Sequence, residues 1–196
     1  MPSLNKRRPA VILDRDGTIN EDTGYISDPG ALRLIEGAAA AIKSLNMEDV
    51  KVIIISNQSG VARGYFSRAD VRAVNDRLRV LLKGGGAGID AFYFCPHHPD
   101  EGCGCRKPRP GLIRKAAVEH SIDLCNSYVV GDKATDIGLA RNTGAKGILV
   151  LTGQGTSESG KLKAAPHLIA RDIKEAVRWI LDDLRRSRNK RCAYSL

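Results

Sequence analysis

Aromatic residues and long apolar runs are scarce in this chain of 196 residues. Tryptophan, tyrosine and phenylalanine together make up 5% of it. No apolar stretch approaches the roughly 20 residues that a membrane-spanning helix needs. The first apolar run, 10–13, is too short for the core of a signal peptide. We therefore expect a cytoplasmic protein with no membrane partner.

Cysteine is also sparse, and its number is odd. The chain has five cysteines, and an odd number without a secretion signal argues against a disulfide framework. Three of them, Cys95, Cys103 and Cys105, lie close together in the sequence. That clustering indicates metal binding.

Acidic residues are outnumbered by basic ones, 22 to 31, which gives a formal charge of +9. Much of the excess lies in 6–8 and in the tail 185–191, and we expect a solvated, partly frayed tail over about 185–196. No aromatic residues interleave with these basic runs, which disfavours single-strand nucleic-acid binding. Nucleic acid is therefore an unfavoured partner.

Short apolar runs alternate with amphipathic segments, a pattern typical of a parallel α/β sheet. We expect one domain over 1–196. The predicted strands are 10–14, 50–57, 89–95, 127–131, 147–151 and, more weakly, 167–170. The predicted helices are 36–46, 68–83, 110–121, 133–143 and 172–186. The spacing leaves room for one helix between successive strands, so no large cap domain is expected.

Two carboxylates one residue apart, Asp14 and Asp16, directly follow the apolar run 10–13. Ligands of open α/β sheets bind at the carboxyl ends of the strands. Two like charges this close are unfavourable without a cation between them, which favours Mg²⁺, an ion that prefers oxygen ligands. The alternative is an Asp that caps an ordinary strand-to-helix turn.

Further polar residues follow the other predicted strands. Ser56 and Asn57 end the second strand, Lys107 lies in the loop after the third, and Asp132 follows the fourth. The order of these groups resembles the four signature motifs of the haloacid dehalogenase superfamily of phosphohydrolases over residues 10–153.

This resemblance implies a three-layer, Rossmann-like α/β fold and a phosphatase mechanism. Asp14 would be the nucleophile and Asp16 the general acid and base, while Ser56 and Lys107 would bind phosphoryl oxygens. Mg²⁺ would be held by Asp14, the main-chain carbonyl of Asp16, and Asp132. Asp136 would orient Lys133 or the metal-bound waters, unless it is only a first-turn helix acid.

A second metal site is indicated by Cys95, His97, Cys103 and Cys105. Thiolate and imidazole ligands suit Zn²⁺, and four protein ligands make a closed, structural site. His98 is an alternative to His97, and reduced cysteines in a loop are the alternative to a metal. A zinc-bound loop would hold the following residues, Arg106 and Lys107, over the phosphate site.

Within the superfamily, the chain resembles the heptose-bisphosphate 7-phosphatases, which act in lipopolysaccharide precursor synthesis. The motifs that carry this are 14–20, 24–25, 57–64, 95–99, 103–108 and 131–133, with Ser56 where threonine is usual. The resemblance implies a sugar-phosphate substrate, with Asn20, Asn57 and Arg63 as substrate contacts and Arg106 on its distal part. Histidinol-phosphate phosphatase and nucleic-acid-end phosphatase are the competing interpretations, and we expect a monomer.

Overall fold

The computed structural model describes residues 7–193, with side chains over 7–187. Six parallel strands form one sheet in the order β3-β2-β1-β4-β5-β6. The strands are β1 (Ala10–Leu13), β2 (Lys51–Asn57), β3 (Ala91–Cys95), β4 (Tyr128–Gly131), β5 (Lys146–Val150) and β6 (Leu168–Ala170). The order reverses between β1 and β4, and such a switch point opens a crevice at the carboxyl ends of the strands.

Helices cover both faces of the sheet, which gives the three layers that were predicted. They are α1 (Ala38–Met47), α2 (Arg68–Gly84), α3 (Gly111–Glu119), α4 (Ala134–Thr143), the short α5 (Gly155–Glu158) and α6 (Ile173–Ala193). Apolar residues of α1, α2 and α6 pack in one core, and those of α3 and α4 pack in the other.

The alternation of side chains along β1 divides it between the two cores. Val11 and Leu13 face one core and Ala10 and Ile12 the other, and all four are at most 1% exposed. Burial on both faces explains why the central strands read as continuous apolar runs. Each fully buried branched side chain contributes roughly 1.5–3 kcal/mol.

Local signals explain where the elements begin and end. Ser67 caps α2 by accepting hydrogen bonds from the main chain of Ala69 and Asp70, so the predicted start at 68 is confirmed. The helix α5 was not predicted, because four residues carry too little periodicity. The helix α6 runs to Ala193, beyond the predicted end at 186, so part of the expected frayed tail is helical.

The expected absence of a large cap domain agrees with the chain over 7–193. Between β1 and β2 lie one short 3-10 turn and α1, and between β2 and β3 lies α2 alone. The carboxyl edge of the sheet is therefore covered by loops. Within the same residues, no helix combines the length and the apolar character that crossing a membrane requires.

Candidate active site

The predicted acidic residues converge at the switch point of the sheet. Asp14 follows β1 and donates its main-chain N–H to the carbonyl of Val130, at 2.9 Å, on the neighbouring strand β4. Asp132 follows β4. Carboxylate oxygens of Asp14, Asp132 and Asp136 all lie within 4.8 Å of one another. Parallel strand ends thus bring together residues more than a hundred positions apart in the chain.

Lys107 neutralises part of this negative charge from within the protein. Its Nζ lies 2.7 Å from Oδ1 of Asp14 and 2.8 Å from Oδ1 of Asp136, and it donates to the carbonyl of Ile55 at 2.7 Å. The side chain is only 3% exposed. Burial alone would lower the pKa of Lys107, but the Asp136 and Asp14 carboxylates outweigh burial and raise it. The ammonium therefore stays charged beside the predicted nucleophile.

Asp132 has the features of a cation ligand. Its Oδ2 accepts the main-chain N–H of Gln154 at 2.8 Å, whereas the buried Oδ1 has no hydrogen-bond partner. Burial raises the pKa of this carboxyl to about 7, although the Lys133 ammonium opposes the shift. A buried carboxylate oxygen without a partner is costly, and a divalent cation would satisfy it. The residues present therefore fit Mg²⁺.

Two glycines make room for this carboxylate. A Cβ added at Gly17, where φ is +84°, would lie 2.2 Å from Oδ2 of Asp132, and one at Gly153 would lie 2.4 Å from it. Both glycines also have positive φ, which side chains rarely adopt. The glycine after Asp16 is therefore needed both for the turn and for the approach of Asp132.

Asp16 is held by hydrogen bonds on both carboxylate oxygens. Oδ1 accepts from Arg15 Nε at 3.1 Å and Asn20 Nδ2 at 2.9 Å, and Oδ2 accepts from Arg15 Nη2 at 3.0 Å and Gln58 Nε2 at 2.9 Å. Burial would raise the pKa of Asp16, but Arg15, Asn20 and Gln58 together lower it. Its side chain is not part of the Asp14–Asp132–Asp136 cluster, and metal binding through its main-chain carbonyl stays a prediction.

The other predicted phosphate and substrate residues occupy different depths. Ser56 is 2% exposed, in β2 beside Phe94. The side-chain amide of Asn57 accepts from Lys107 N at 3.0 Å and donates to Lys107 O at 3.2 Å, so it fixes the lysine's main chain. Asn20 is buried and contacts Asp16. The phosphate contact of Ser56 and the substrate contacts of Asn20 and Asn57 stay predictions.

A cleft of about 430 Å³ opens over this edge of the sheet. Its lining residues are Asp16, Asp22, Gly24, Tyr25, Asn57, Gln58, Ser59, Arg106, Lys133, Thr135, Gln154 and Glu158. Nη1 of Arg106 is buried without a hydrogen-bond partner, and its predicted contact with the distal part of a substrate stays a prediction. Arg63 is exposed and is not among the lining residues, so its predicted substrate contact stays a prediction.

Lys133 adds a second basic side chain to the cleft. Its Nζ donates to Oδ2 of Asp22 at 3.2 Å, and Gln154 Nε2 donates to the same oxygen at 3.1 Å. Burial opposes the charge of Lys133, but Asp14, Asp132 and Asp22 raise its pKa. The ammonium therefore stays positively charged at the wall of the cleft.

The predicted zinc ligands form one cluster. The sulfur atoms of Cys95, Cys103 and Cys105 lie 3.2–3.5 Å apart, and Nδ1 of His97 lies 3.1 Å from the sulfur of Cys105. All four ligand atoms fall within 4.8 Å. Zn–S bonds of about 2.3 Å would place tetrahedral ligands only slightly further apart. The donor set therefore fits zinc.

The structure also selects between the two candidate histidines. His98 caps the 3-10 turn Pro99–Glu101, where its Nδ1 accepts the main-chain N–H of Asp100 at 3.4 Å. Nδ1 of His97, in contrast, lies 3.1 Å from the sulfur of Cys105. His97 is the imidazole of the cluster, and His98 serves the fold of the loop.

Sequence reasoning missed several contacts at the site. Asp136 was considered as a first-turn helix acid or as a partner of Lys133, yet its carboxylate both caps the start of α4 and pairs with Lys107. Gln58 was passed over, although its place after a strand end was a signal. Asp22 carried no signal, because its partners are distant in sequence.

The chain is similar to known phosphatases over most of its length. A HAD-hydrolase-like family model matches residues 104–176. D-glycero-D-manno-heptose-1,7-bisphosphate 7-phosphatase from Thermosynechococcus vestitus is 45% identical over 191 residues, covering 90% of this chain and 97% of that protein. D-glycero-beta-D-manno-heptose-1,7-bisphosphate 7-phosphatase from Helicobacter pylori is 39% identical, covering 87% of this chain and 96% of that protein.

A solved structure has the same fold. D,D-heptose 1,7-bisphosphate phosphatase from Bordetella bronchiseptica, determined with magnesium and phosphate, superposes with a TM-score of 0.84. It is 34% identical and covers 89% of this chain and 99% of its own. The strand-end aspartates, the buried lysine and this similarity over nearly the whole length together assign the chain to the heptose-1,7-bisphosphate 7-phosphatase family of the haloacid dehalogenase superfamily.

Proposed function

We propose that this protein removes the 7-phosphate of D-glycero-D-manno-heptose 1,7-bisphosphate, in the synthesis of nucleotide-activated heptose for lipopolysaccharide. The observation that carries the proposal is the buried group of Asp14, Lys107 and Asp132 beneath a cleft with two further basic side chains, Arg106 and Lys133. A bisphosphate needs two anion sites, and the positive charges of Arg106 and Lys133 in the cleft support this substrate. The names of the relatives agree with this substrate.

Asp14 is the nucleophile in this mechanism. Its carboxylate oxygen forms a bond to phosphorus while the bond from phosphorus to the sugar oxygen breaks, and Asp16 gives a proton to the departing alkoxide. In the second step a water oxygen bonds to phosphorus, Asp16 accepts the proton, and Asp14 recovers its carboxylate. Splitting the displacement in this way produces an aspartyl-phosphate intermediate.

The remaining side chains bind and orient the substrate. Lys107 and Ser56 contact the phosphoryl oxygens at the reacting end, and Arg106 contacts the distal phosphate. Lys133 also lines the cleft, and its ammonium adds positive charge there. Asn20 and Asn57 support Asp16 and Lys107 from behind, in addition to the substrate contacts predicted for them and for Arg63.

Asp14, Asp132 and the main-chain carbonyl of Asp16 would hold Mg²⁺. When bound, the ion offsets the negative charge of the carboxylates and of the phosphoryl group. The unpartnered Oδ1 of Asp132 supports this assignment.

Cys95, His97, Cys103 and Cys105 would hold Zn²⁺ in a structural site. The cluster directly precedes Arg106 and Lys107, and Arg109 donates to the carbonyl of Cys103 at 2.8 Å. A loop with little apolar content has no core of its own, so a metal would give it a fixed shape. We also propose a cytoplasmic monomer whose partner is the small sugar phosphate rather than nucleic acid.

The test is phosphate release with Mg²⁺ from both anomers of heptose 1,7-bisphosphate, histidinol phosphate and a 5′-phosphorylated DNA end. We expect one heptose anomer to be preferred by about 100-fold or more in kcat/KM, equivalent to about 3 kcal/mol. Slow and similar rates on all four compounds would refute the proposed substrate, while the assignment as a phosphatase would remain.

The matching variant is Asp14→Asn, which is nearly isosteric. We expect activity to fall by at least about 10³-fold, since the nucleophile is lost, while the far-ultraviolet circular dichroism remains that of the folded protein. Substantial activity in the folded variant would refute the nucleophile.

A further inference from the structure

Arg15 is a fully buried cation next to the site. Its side chain is 1% exposed, the largest among the fully buried side chains of the described chain. Removing a guanidinium from water is costly, and a buried ion pair often stabilises a fold no better than apolar residues would. Stability alone therefore does not explain an arginine at this position.

All three side-chain nitrogens of Arg15 donate hydrogen bonds, and two of them donate to the carboxylate of Asp16. Nε and Nη2 form a bidentate pair with the carboxylate, while Nη1 donates to Oδ1 of Asn75 at 3.0 Å. Asn75 lies on α2 and is 7% exposed, on a buried face that also carries Val71, Val74 and Leu78. Helix α2 thus offers an amide in an apolar face, and that amide anchors the arginine.

The remaining donors to Asp16 differ in their access to the cleft. Gln58 lines the cleft, whereas Arg15 and Asn20 are not among its lining residues. The four hydrogen bonds fill the usual acceptor sites of a carboxylate. A water O–H can therefore reach the carboxylate only by displacing a donor. Gln58 is the donor that lines the cleft, so the water takes its place on Oδ2 while Arg15 keeps the carboxylate still.

We propose that Arg15, anchored by Asn75, is the positioning residue for Asp16 and holds Oδ2 toward the attacking water. The inference rests on the proposed function. In the step it serves, the water oxygen forms its bond to phosphorus and the bond from phosphorus to Asp14 breaks. The water proton passes to Oδ2 of Asp16, and the electron pair returns to the Asp14 carboxylate.

An aryl phosphate separates the two chemical steps. The p-nitrophenolate group leaves without a proton, so formation of the aspartyl-phosphate does not need a correctly placed Asp16, whereas its hydrolysis does. In Arg15→Lys, which keeps the charge but loses the bidentate grip, we expect kcat for p-nitrophenyl phosphate to fall about 100-fold. KM should fall with it, kcat/KM should stay within about threefold, and a burst of one p-nitrophenolate per enzyme should appear.

The sugar bisphosphate gives the contrasting readout. Its alkoxide leaves with a proton from Asp16, so both kcat and kcat/KM should fall in Arg15→Lys. Asn75→Ala removes only the anchor, and we expect the same pattern at about tenfold. If Arg15→Lys fails to fold, the result for Asn75→Ala alone tests the positioning role of Arg15.

Ser127→Ala is the matched control, because it removes a buried hydrogen bond that lies away from the site. Ser127 is fully buried at the opposite end of β1, where it accepts from Ala10 N at 3.0 Å. The Ser127→Ala variant should lower Tm, but it should show no burst, and kcat should not fall more than kcat/KM. A burst in this control would overturn the inference.

The outcomes distinguish the inference from the function on which it rests. If Asp14→Asn hydrolyses the aryl phosphate as fast as the unmodified enzyme, the proposed chemistry fails. If hydrolysis depends on Asp14 but folded Arg15→Lys or Asn75→Ala shows no burst, or loses kcat/KM as strongly as kcat, the positioning role fails.

Discussion

At the scale of single residues, the site depends on charges that compensate one another in a buried place. The single positive charge of Lys107 lies 2.7 Å from Asp14 and 2.8 Å from Asp136. When Asp14, Asp132 and Asp136 are all ionised, an excess of negative charge remains on this cluster. Breaking one member of such a group typically costs 3–5 kcal/mol, because its partners stay buried and unpaired. The residues that carry the chemistry are therefore also the ones that the fold tolerates least well when changed.

Gly17 provides a residue-scale prediction. We expect Gly17→Ala to lower kcat about 100-fold, since its Cβ would meet Oδ2 of Asp132 and push the carboxylate out of place. Gly144→Ala is the control, because Gly144 has a similar φ of +72° but its nearest contact would be 3.6 Å away. Both should lose stability, by about 1 kcal/mol for the control. Equal kcat values in the two variants would show that the crowding at Asp132 is harmless.

At the scale of elements, the loop after β3 and the helix α6 are held by polar groups. The loop contains the cysteine–histidine cluster and leads into Arg106 and Lys107. The helix α6 packs its apolar face on the sheet through Ile173, Val177 and Ile180. At the middle of the helix, Asp183 pairs with Lys146 and accepts from Tyr128 OH at 2.6 Å.

For the loop, we expect Cys103→Ser to reduce bound zinc from about one equivalent to nearly none, as measured by atomic absorption. Tm and kcat should fall with it, because Arg106 and Lys107 lose their fixed support. Cys125→Ser, at an exposed cysteine outside the cluster, should change neither. Full zinc content in Cys103→Ser would contradict the ligand assignment.

For α6, Asp183 makes stability depend on pH in a defined direction. Burial would raise the pKa of Asp183, but the Lys146 ammonium and the Tyr128 hydroxyl lower it. Because the pKa in the folded state is below the unfolded value near 3.9, the stabilisation is present above that pH and is lost as pH falls through the folded-state value.

The Tm difference between the unmodified protein and Asp183→Asn should therefore be large at pH 7 and should shrink below about pH 4. Asp182→Asn, at a side chain that is 58% exposed, should show a small difference at every pH. A gap for Asp183→Asn that is constant from pH 7 to pH 3 would refute this account.

At the scale of the whole molecule, the switch point of the sheet and the absence of a cap over 7–193 leave the cleft open. A substrate therefore meets charged side chains at the mouth without a domain closure. Within 173–187, the part of α6 whose side chains are described, the last buried side chain is Leu184.

Removal of residues 188–196 should accordingly leave kcat and KM unchanged. Both forms should be monomers by light scattering, about 21 kDa for the full chain, and neither should show salt-sensitive DNA binding. DNA binding by the full chain that disappears on truncation would instead identify nucleic acid as a partner of the tail.

The sequence by itself determined the elements and the chemical types of the site. All six strands were predicted within about two residues, since β-branched apolar runs and turn residues are local signals. The clustering of Cys95, His97, Cys103 and Cys105 and the carboxylates at strand ends were also predicted, because both depend on spacing along the chain; zinc binding by the cluster stays a prediction.

Only the tertiary structure decided which of these groups meet. Four contacts depend on three-dimensional packing: the pairing of Asp136 with Lys107, the place of His97 rather than His98 beside the cysteines, the hydrogen bonds of the Asn57 amide to Lys107, and the anchoring of Arg15 by Asn75. Their distances follow from the strand order and from side-chain rotamers, which no local pattern encodes. Periodicity predicts where strands, helices and turns lie along the chain. The ion pairs of buried charged residues, in contrast, form only when the sheet brings distant strand ends together.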